Sequence, residues 1–152
     1  MQRTIRTRGE SVVQGKFLEE LSVGRSAELV RVVGEADIEA FAEVTGDNNP
    51  VHLDADYAAK TSFGERIAHG MLSAGYISAV LGTTLPGPGA IYLSQALRFK
   101  RPVKIGDSVT ARATVTEIDE AKARVTLATV CLVNGKPVVD GEAVVMVPRK
   151  AA

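Results

Sequence analysis

The chain has 152 residues, with 18 lysines and arginines balancing 18 aspartates and glutamates. That length predicts one domain around one core, and the balance excludes the broad positive field of a nucleic-acid or membrane-surface binder. Aromatics make up 5% with no tryptophan, which removes base-stacking platforms, while a single cysteine, Cys131, without any Cys/His cluster at zinc spacing points to a reducing, cytoplasmic setting and to no metal site.

The first residues, Met1 to Arg8, are basic but lack the apolar stretch a secretory signal needs, and they fit an arginine-rich transit segment poorly. Residues 1–16 show no sustained period and are expected to form a flexible N-terminal segment ahead of one domain spanning 17–148. Ser26 to Val33 is rich in β-formers and reads as a strand ending at Gly34. From Glu35 the apolar positions Ile38, Phe41, Ala42 and Thr45 recur at helical spacing, with Glu35, Asp37 and Glu39 in the first turns, where the helix dipole favours acids. Gly46 is the natural stop. Pro50 cannot continue that helix and biases Asn49 towards extended backbone, so Asp47 to His52 is expected to be a turn. Asp54 is placed to cap a second short helix, Ala55 to about Thr61.

His69 to Leu85 is the longest apolar block, and no charged residue occurs between His69 and Arg98. A membrane span needs ~20 apolar residues in one unbroken helix, whereas Pro86-Gly87-Pro88-Gly89 ends this one early. It therefore reads as a buried helix, apolar on every side, with Ser73, Gly75, Ser78 and Ala79 permitting close approach of other elements. Strands follow without another helix. Ala90 to Lys100 is one; Val109 to Thr116 alternates, with Val109, Ala111, Ala113 and Val115 on one face; Lys122 to Val133 and Pro137 to Val147 are joined by Asn134-Gly135, the preferred pair for a tight type I′ turn. The sum is an α+β fold in which an antiparallel sheet wraps a long apolar helix.

The run Phe41-Ala42-Glu43-Val44-Thr45-Gly46-Asp47-Asn48-Asn49-Pro50-Val51-His52, with Ala58 six residues past the histidine, resembles the signature of the MaoC-like (R)-specific enoyl-CoA hydratases, also called hydratase 2. His69-Gly70-Met71-Leu72, the Pro-Gly stretch before Ile91-Tyr92, and Phe99-Lys100-Arg101-Pro102-Val103 followed by Gly106-Asp107 are similar to later landmarks of that family. The resemblance implies a hot-dog fold and a homodimer with its active sites near the subunit interface. It also implies an acyl-CoA thioester as substrate, with coenzyme A part of that substrate and no separate cofactor.

Hydrating a trans-2-enoyl thioester requires a water to lose a proton as it attacks the β-carbon, a proton to reach the α-carbon, and the thioester oxygen to be held as it gains enolate character. Asp47 and His52, five residues apart around an Asn-Pro bend, can cover both proton transfers if they meet on one water, and the resemblance implies the same pair. Backbone amides opening the His69 to Leu85 helix lack intrahelical acceptors and sit at the positive end of its dipole, so the oxyanion site is assigned to the Gly70 amide. The resemblance places Ser78 near the acid/base pair in a supporting role, and Leu81 and Val144 at the acyl pocket.

Taken singly, each residue has an ordinary alternative. Asp47 suits an Asx turn, His52 a satisfied core histidine, His69 a helix cap, Asn49 a structural turn residue and Ser78 close packing. Cys131 reads as core, having no histidine near it in sequence. No phosphate-cradling glycine loop is present, so Arg98, Lys100, Arg101 and Lys104 are the candidates for nucleotide phosphates, against an ordinary solvated strand edge. Reversible (R)-specific hydration of enoyl-CoA is the leading expectation. Dehydration of 3-hydroxyacyl groups on CoA or acyl carrier protein is its reverse, and a hot-dog thioesterase or a non-catalytic acyl-CoA-binding domain are the rivals.

Overall fold

The computed structural model describes residues 14–150. The expectation of a flexible N-terminal segment falls mostly on residues outside that range. Lys16 already lies within the fold, its amide donating to the Pro86 carbonyl at 2.8 Å. Five strands, β1 (Ser26–Val32), β2 (Ile91–Phe99), β3 (Ser108–Asp119), β4 (Arg124–Val133) and β5 (Lys136–Met146), form one antiparallel sheet in the order β1-β3-β4-β5-β2. The helices are α1 (Glu35–Thr45), α2 (Pro50–Leu53), α3 (Ala55–Ala59) and α4 (Gly70–Thr83).

The period-two pattern of β3 decides which face is covered. Val109, Ala111, Ala113 and Val115 are buried, while Thr110, Arg112 and Thr114 between them are partly exposed on the other face. Val125, Leu127, Thr129 and Cys131 of β4 and Ala143 and Val145 of β5 extend the same buried face. α4 lies against it through Ser73, Ile77, Val80 and Leu81, the three-and-four spacing of one helical stripe. Burying a side chain such as Ile77 stabilises the fold by about 1.5–3 kcal/mol. The β4–β5 hairpin turns where expected, with Asn134 at φ 51° and Gly135 at φ 74°, the two positive values a type I′ turn needs. At Gly141 the strands β5 and β2 come so close that a Cβ would lie 1.8 Å from the Ala96 carbonyl oxygen.

Two expectations are corrected. Asp47 to His52 is not all turn, since Pro50 is the first residue of α2, which carries His52. Proline is tolerated there because its missing N–H would have no intrahelical acceptor anyway. Nor is α4 enclosed on every side: Gly70, Met71, Gly75 and Ser78 form an open face beside the edge strand β2, whose Tyr92, Leu93 and Phe99 are also exposed. The helix is apolar all round, yet the sheet of this chain covers only half of it. Among the described residues no helix is long and apolar enough to cross a membrane.

Candidate active site

α1 delivers the chain to the site. It starts from Gly34, whose amide donates to the Asp37 carboxylate at 2.8 Å, and it stops at Gly46, which adopts φ 80° as a left-handed terminator. The Thr45 hydroxyl donates back to the Phe41 carbonyl at 2.7 Å and accepts from the Asp47 amide at 3.2 Å, so the residue after the glycine is held as it leaves the helix. Asp47 then accepts from the Asn49 amide at 3.3 Å, the Asx turn that its sequence context also allowed. Asn49 in turn caps α2, its side-chain oxygen accepting from the Val51 amide at 3.2 Å. The structure it caps is the single turn that carries His52.

The His52 ring is fixed from outside its own helix. Its Nδ1 lies 2.7 Å from the Ile67 carbonyl, which can only accept, so Nδ1 carries the proton and Nε2 is left to exchange one with solvent or substrate. Ile67 is itself anchored by its amide on the Val51 carbonyl and by a bridge to Lys104. Arg66 donates to the His52 carbonyl and to Glu35, both at 2.7 Å, and ties α2 to α1. Neither Arg66 nor Ile67 stands out in the sequence. Both belong to an irregular loop, and nothing local marks which carbonyl a distant imidazole will reach.

Asp47, His52 and His69 converge: one carboxylate oxygen and one ring nitrogen from each histidine all lie within 4.8 Å of one another. Asp47 is exposed and the two histidines are buried. His69 precedes the first residue of α4 but makes no side-chain cap; instead its Nε2 donates to the Asp47 carbonyl at 2.9 Å. Its ring stacks on His52 with centroids 3.8 Å apart and planes inclined by 30°, and Phe41 flanks its ring at 4.6 Å. Three such groups have the donor types of a metal site; each histidine gives one ring N–H to a backbone carbonyl and keeps its other ring nitrogen.

Gly70 opens α4 next to this stack, where position alone leaves its amide without an intrahelical acceptor. It lines a pocket of about 250 Å³ with His69, Ser73, Phe99, Lys100 and Arg101. A Cβ at Gly70 would come within 2.6 Å of two ring carbons of Phe99, so glycine is what allows that ring to lie over the helix start. Phe99 also borders a larger, mainly apolar pocket of about 700 Å³ on the open face of α4, with Phe41, Met71, Ser78, Tyr92 and Leu93. The two pockets meet at the amino end of the helix.

The remaining candidates are placed less simply. Ser78 lines the apolar pocket, and no hydrogen bond joins it to Asp47 or His52. Leu81 and Val144 are not part of that lining. Leu81 is 2% exposed in the core, on the sheet side of α4, and Val144 lies between the inward-facing Ala143 and Val145, hence on the opposite face of β5. Lys100 pairs with Asp140 at 2.7 Å, Lys104 with Glu65 at 3.5 Å, and Arg101 donates to the Pro137 carbonyl at 2.8 Å. Arg98 sits on β2 opposite Asp140 in the register. Lys100 and Arg101 line the smaller pocket and Arg98 does not. Cys131 is fully buried, and burial pushes its thiol up to about 12, so it is core and not a nucleophile.

Known proteins resemble this chain over most of its length. The model of the MaoC-like domain matches residues 11–135. An (R)-specific enoyl-CoA hydratase of Rhodospirillum rubrum is 56% identical over 134 residues, covering 88% of this chain and 93% of that protein. A 3-hydroxybutyryl-CoA dehydratase of Methylorubrum extorquens is 51% identical, covering 88% and 85%. Among solved structures, an unliganded (R)-hydratase of Pseudomonas aeruginosa superposes with a TM-score of 0.86 at 54% identity, over 91% of this chain and 89% of that one.

Proposed function

The chain belongs to the MaoC-like domain family, and from that premise we propose that it reversibly adds water to trans-2-enoyl-CoA, giving (R)-3-hydroxyacyl-CoA. The observation that carries the reading is the approach of the Asp47 carboxylate and the His52 imidazole to within 4.8 Å, with Nδ1 of His52 committed to a carbonyl and Nε2 free. In the hydration direction a water held between them gives one proton to the pair as its oxygen bonds to the β-carbon. The π electrons move onto the thioester oxygen, where the Gly70 amide at the positive end of α4 stabilises them. The enolate then collapses as the α-carbon takes a proton from the other member of the pair, and the proton gained from the water passes across the pair to replace it, so one water is added and the site returns to its starting protonation. Each positioned acid or base contributes ~10²–10⁴ in rate, and one oxyanion donor about 10²–10³, so no single group dominates.

In this reading the acyl chain enters the apolar pocket under Met71 and Leu93, the pantetheine arm passes the smaller pocket, and Lys100 and Arg101 meet phosphate only by exchanging their present partners. Coenzyme A is part of the substrate, and the reaction needs no cofactor. The chain works as a cytoplasmic homodimer in fatty acid metabolism. Support for the dimer comes from the exposed apolar strip of Met71, Tyr92, Leu93 and Phe99 beside a strand edge that pairs with no other strand among the described residues. The 3-hydroxybutyryl-CoA dehydratase relative favours a second reading, the same chemistry run in reverse.

The test is to incubate the protein with crotonyl-CoA and longer trans-2-enoyl-CoA esters, following loss of the conjugated thioester absorbance and the configuration of the product. Asp47→Asn and His52→Ala are each expected to lower kcat by ~10²–10⁴ while melting like the parent. Free CoA without hydration would identify a thioesterase, and an S product would overturn the assignment.

A further inference from the structure

His69 does what none of its local alternatives requires. At the residue before α4 a serine or aspartate would cap a first-turn amide, but the His69 side chain makes no such bond. As mere filling it is a poor choice: it is 2% exposed, and its Nδ1 is buried with no hydrogen-bond partner among the described residues, a polar atom that an aliphatic side chain would not bury. What the ring does engage is the backbone of Asp47 on one side and the His52 imidazole on the other. Its Nε2 donates to the Asp47 carbonyl at 2.9 Å, and its face lies 3.8 Å from that of His52. Phe41, on α1, packs 4.6 Å away and limits its movement.

We propose that His69 is a positioning residue for the hydration, a single side chain that sets the spacing between the Asp47 carboxylate and the His52 ring. The inference rests on the acid/base reading above. Asp47 and His52 lie on a loop and a one-turn helix, elements that on their own do not hold two groups to a fraction of an ångström. The loop bearing Asp47 is exposed and is steadied locally by the Thr45 hydroxyl contact, the Asn48 amide on the Gly46 carbonyl at 3.0 Å and its own Asx turn, all made within the loop itself or with the residue before it. The bond from His69 adds a fixed point from 22 residues away, at the amino end of α4, the longest helix among the described residues. Because α4 also presents the Gly70 amide, the same rigid element references all three functional groups to one another. A displacement of about 1 Å is enough to cost ~10² in rate, so loss of this link acts on kcat rather than on substrate binding.

His69→Phe keeps the stacked ring and removes the donor; His69→Gln keeps a donor at the Nε2 position and removes the ring. For His69→Phe, kcat with crotonyl-CoA is expected to fall about 10–100-fold with KM changed by less than about threefold, and His69→Gln should retain more of kcat than His69→Phe. A kcat for His69→Phe within about twofold of the parent, a loss confined to KM, or a Gln variant no better than Phe overturns the inference. Should the Phe variant not fold, His69→Leu takes its place against His69→Gln on the same terms. A second readout does not depend on turnover. The Asn48 amide belongs to the peptide unit whose carbonyl accepts from His69, so its NMR resonance should move, and amide exchange over residues 47–52 should quicken, in the Phe variant but not in the Gln variant. Unmoved amides would sink the proposal. Parent turnover tests the hydratase reading, the variant ratios and amide shifts test His69, and the two failures are distinguishable.

Discussion

A methyl group at Gly70 would come to 2.6 Å from Cδ1 and Cε1 of Phe99, and the half-exposed ring would have to swing out to admit it. Gly70→Ala is therefore expected to fold while losing about 10² in kcat, since the methyl crowds the first amide of α4. Adding Phe99→Ala relieves the steric conflict and should recover any loss of melting temperature without recovering kcat; recovery of both would show that the ring, and not the amide, is what matters. Cys131 supplies a second test at the same scale. Its thiol is raised from 9.0 to about 12 by burial, so the folded protein binds that proton more tightly than the unfolded chain does. The sign follows: the stabilisation is complete below pH 9 and is lost as pH rises from 9 towards 12. Melting temperature measured across that range is expected to fall, and to fall less steeply in Cys131→Ala, which starts lower because of the cavity it leaves. A thiol-reactive disulfide reagent at neutral pH should modify the thiol only after unfolding.

Among the elements, α2 is the most exposed to a single change. One turn long, it owes its start to Asn49 and Pro50 and carries His52. Asn49→Ala removes the cap at a cost of about 0.5–2 kcal/mol, and because the cap also sets the angle of the turn, kcat is expected to fall by more than the loss of stability explains. Calorimetry alongside turnover checks this; a variant that melts early but turns over normally would reduce Asn49 to scaffolding alone. This element also marks how far local sequence rules reach. Gly46 as a stop, Asp54 as a cap, the alternation of β3 and the Asn134-Gly135 turn were all legible, because each depends on neighbours a few residues away. The span from Asp47 to His52 reads as a turn yet is helical from Pro50 on, because a proline that ends one helix also suits the first position of the next. Asp47 and His52 could be singled out together with the start of α4, but their link through His69 could not. A bond across 22 residues leaves no periodic trace. Leu81 and Val144, taken from family resemblance alone, do not line the pocket on this chain, for helix and strand phase put one in the core and the other on the far face.

At the scale of the whole molecule the unfinished part is the open side of α4. A helix this apolar ought to be covered on both sides, yet Met71 is 58% exposed, and among the described residues no strand pairs with the outer edge of β2, the adjoining edge of the sheet. An apolar strip beside an unpaired edge is a surface that seeks a partner. A second copy satisfies both needs at once, because an isologous contact lets β2 meet β2 and the two α4 faces cover each other. The pocket lined by Met71, Leu93 and Phe99 would then be closed by the partner and become a sheltered acyl site. Function and assembly should therefore fail together. Leu93→Asp puts a charge in the middle of the strip, far in sequence from Asp47 and His52. Sedimentation is expected to give twice the chain mass of 16.1 kDa for the parent and the single mass for the variant, with turnover of long-chain enoyl-CoA lost along with the dimer. A variant that sediments as a monomer yet hydrates long chains at the parent rate would mean that each chain completes its own site, and the open face of α4 would then need another explanation.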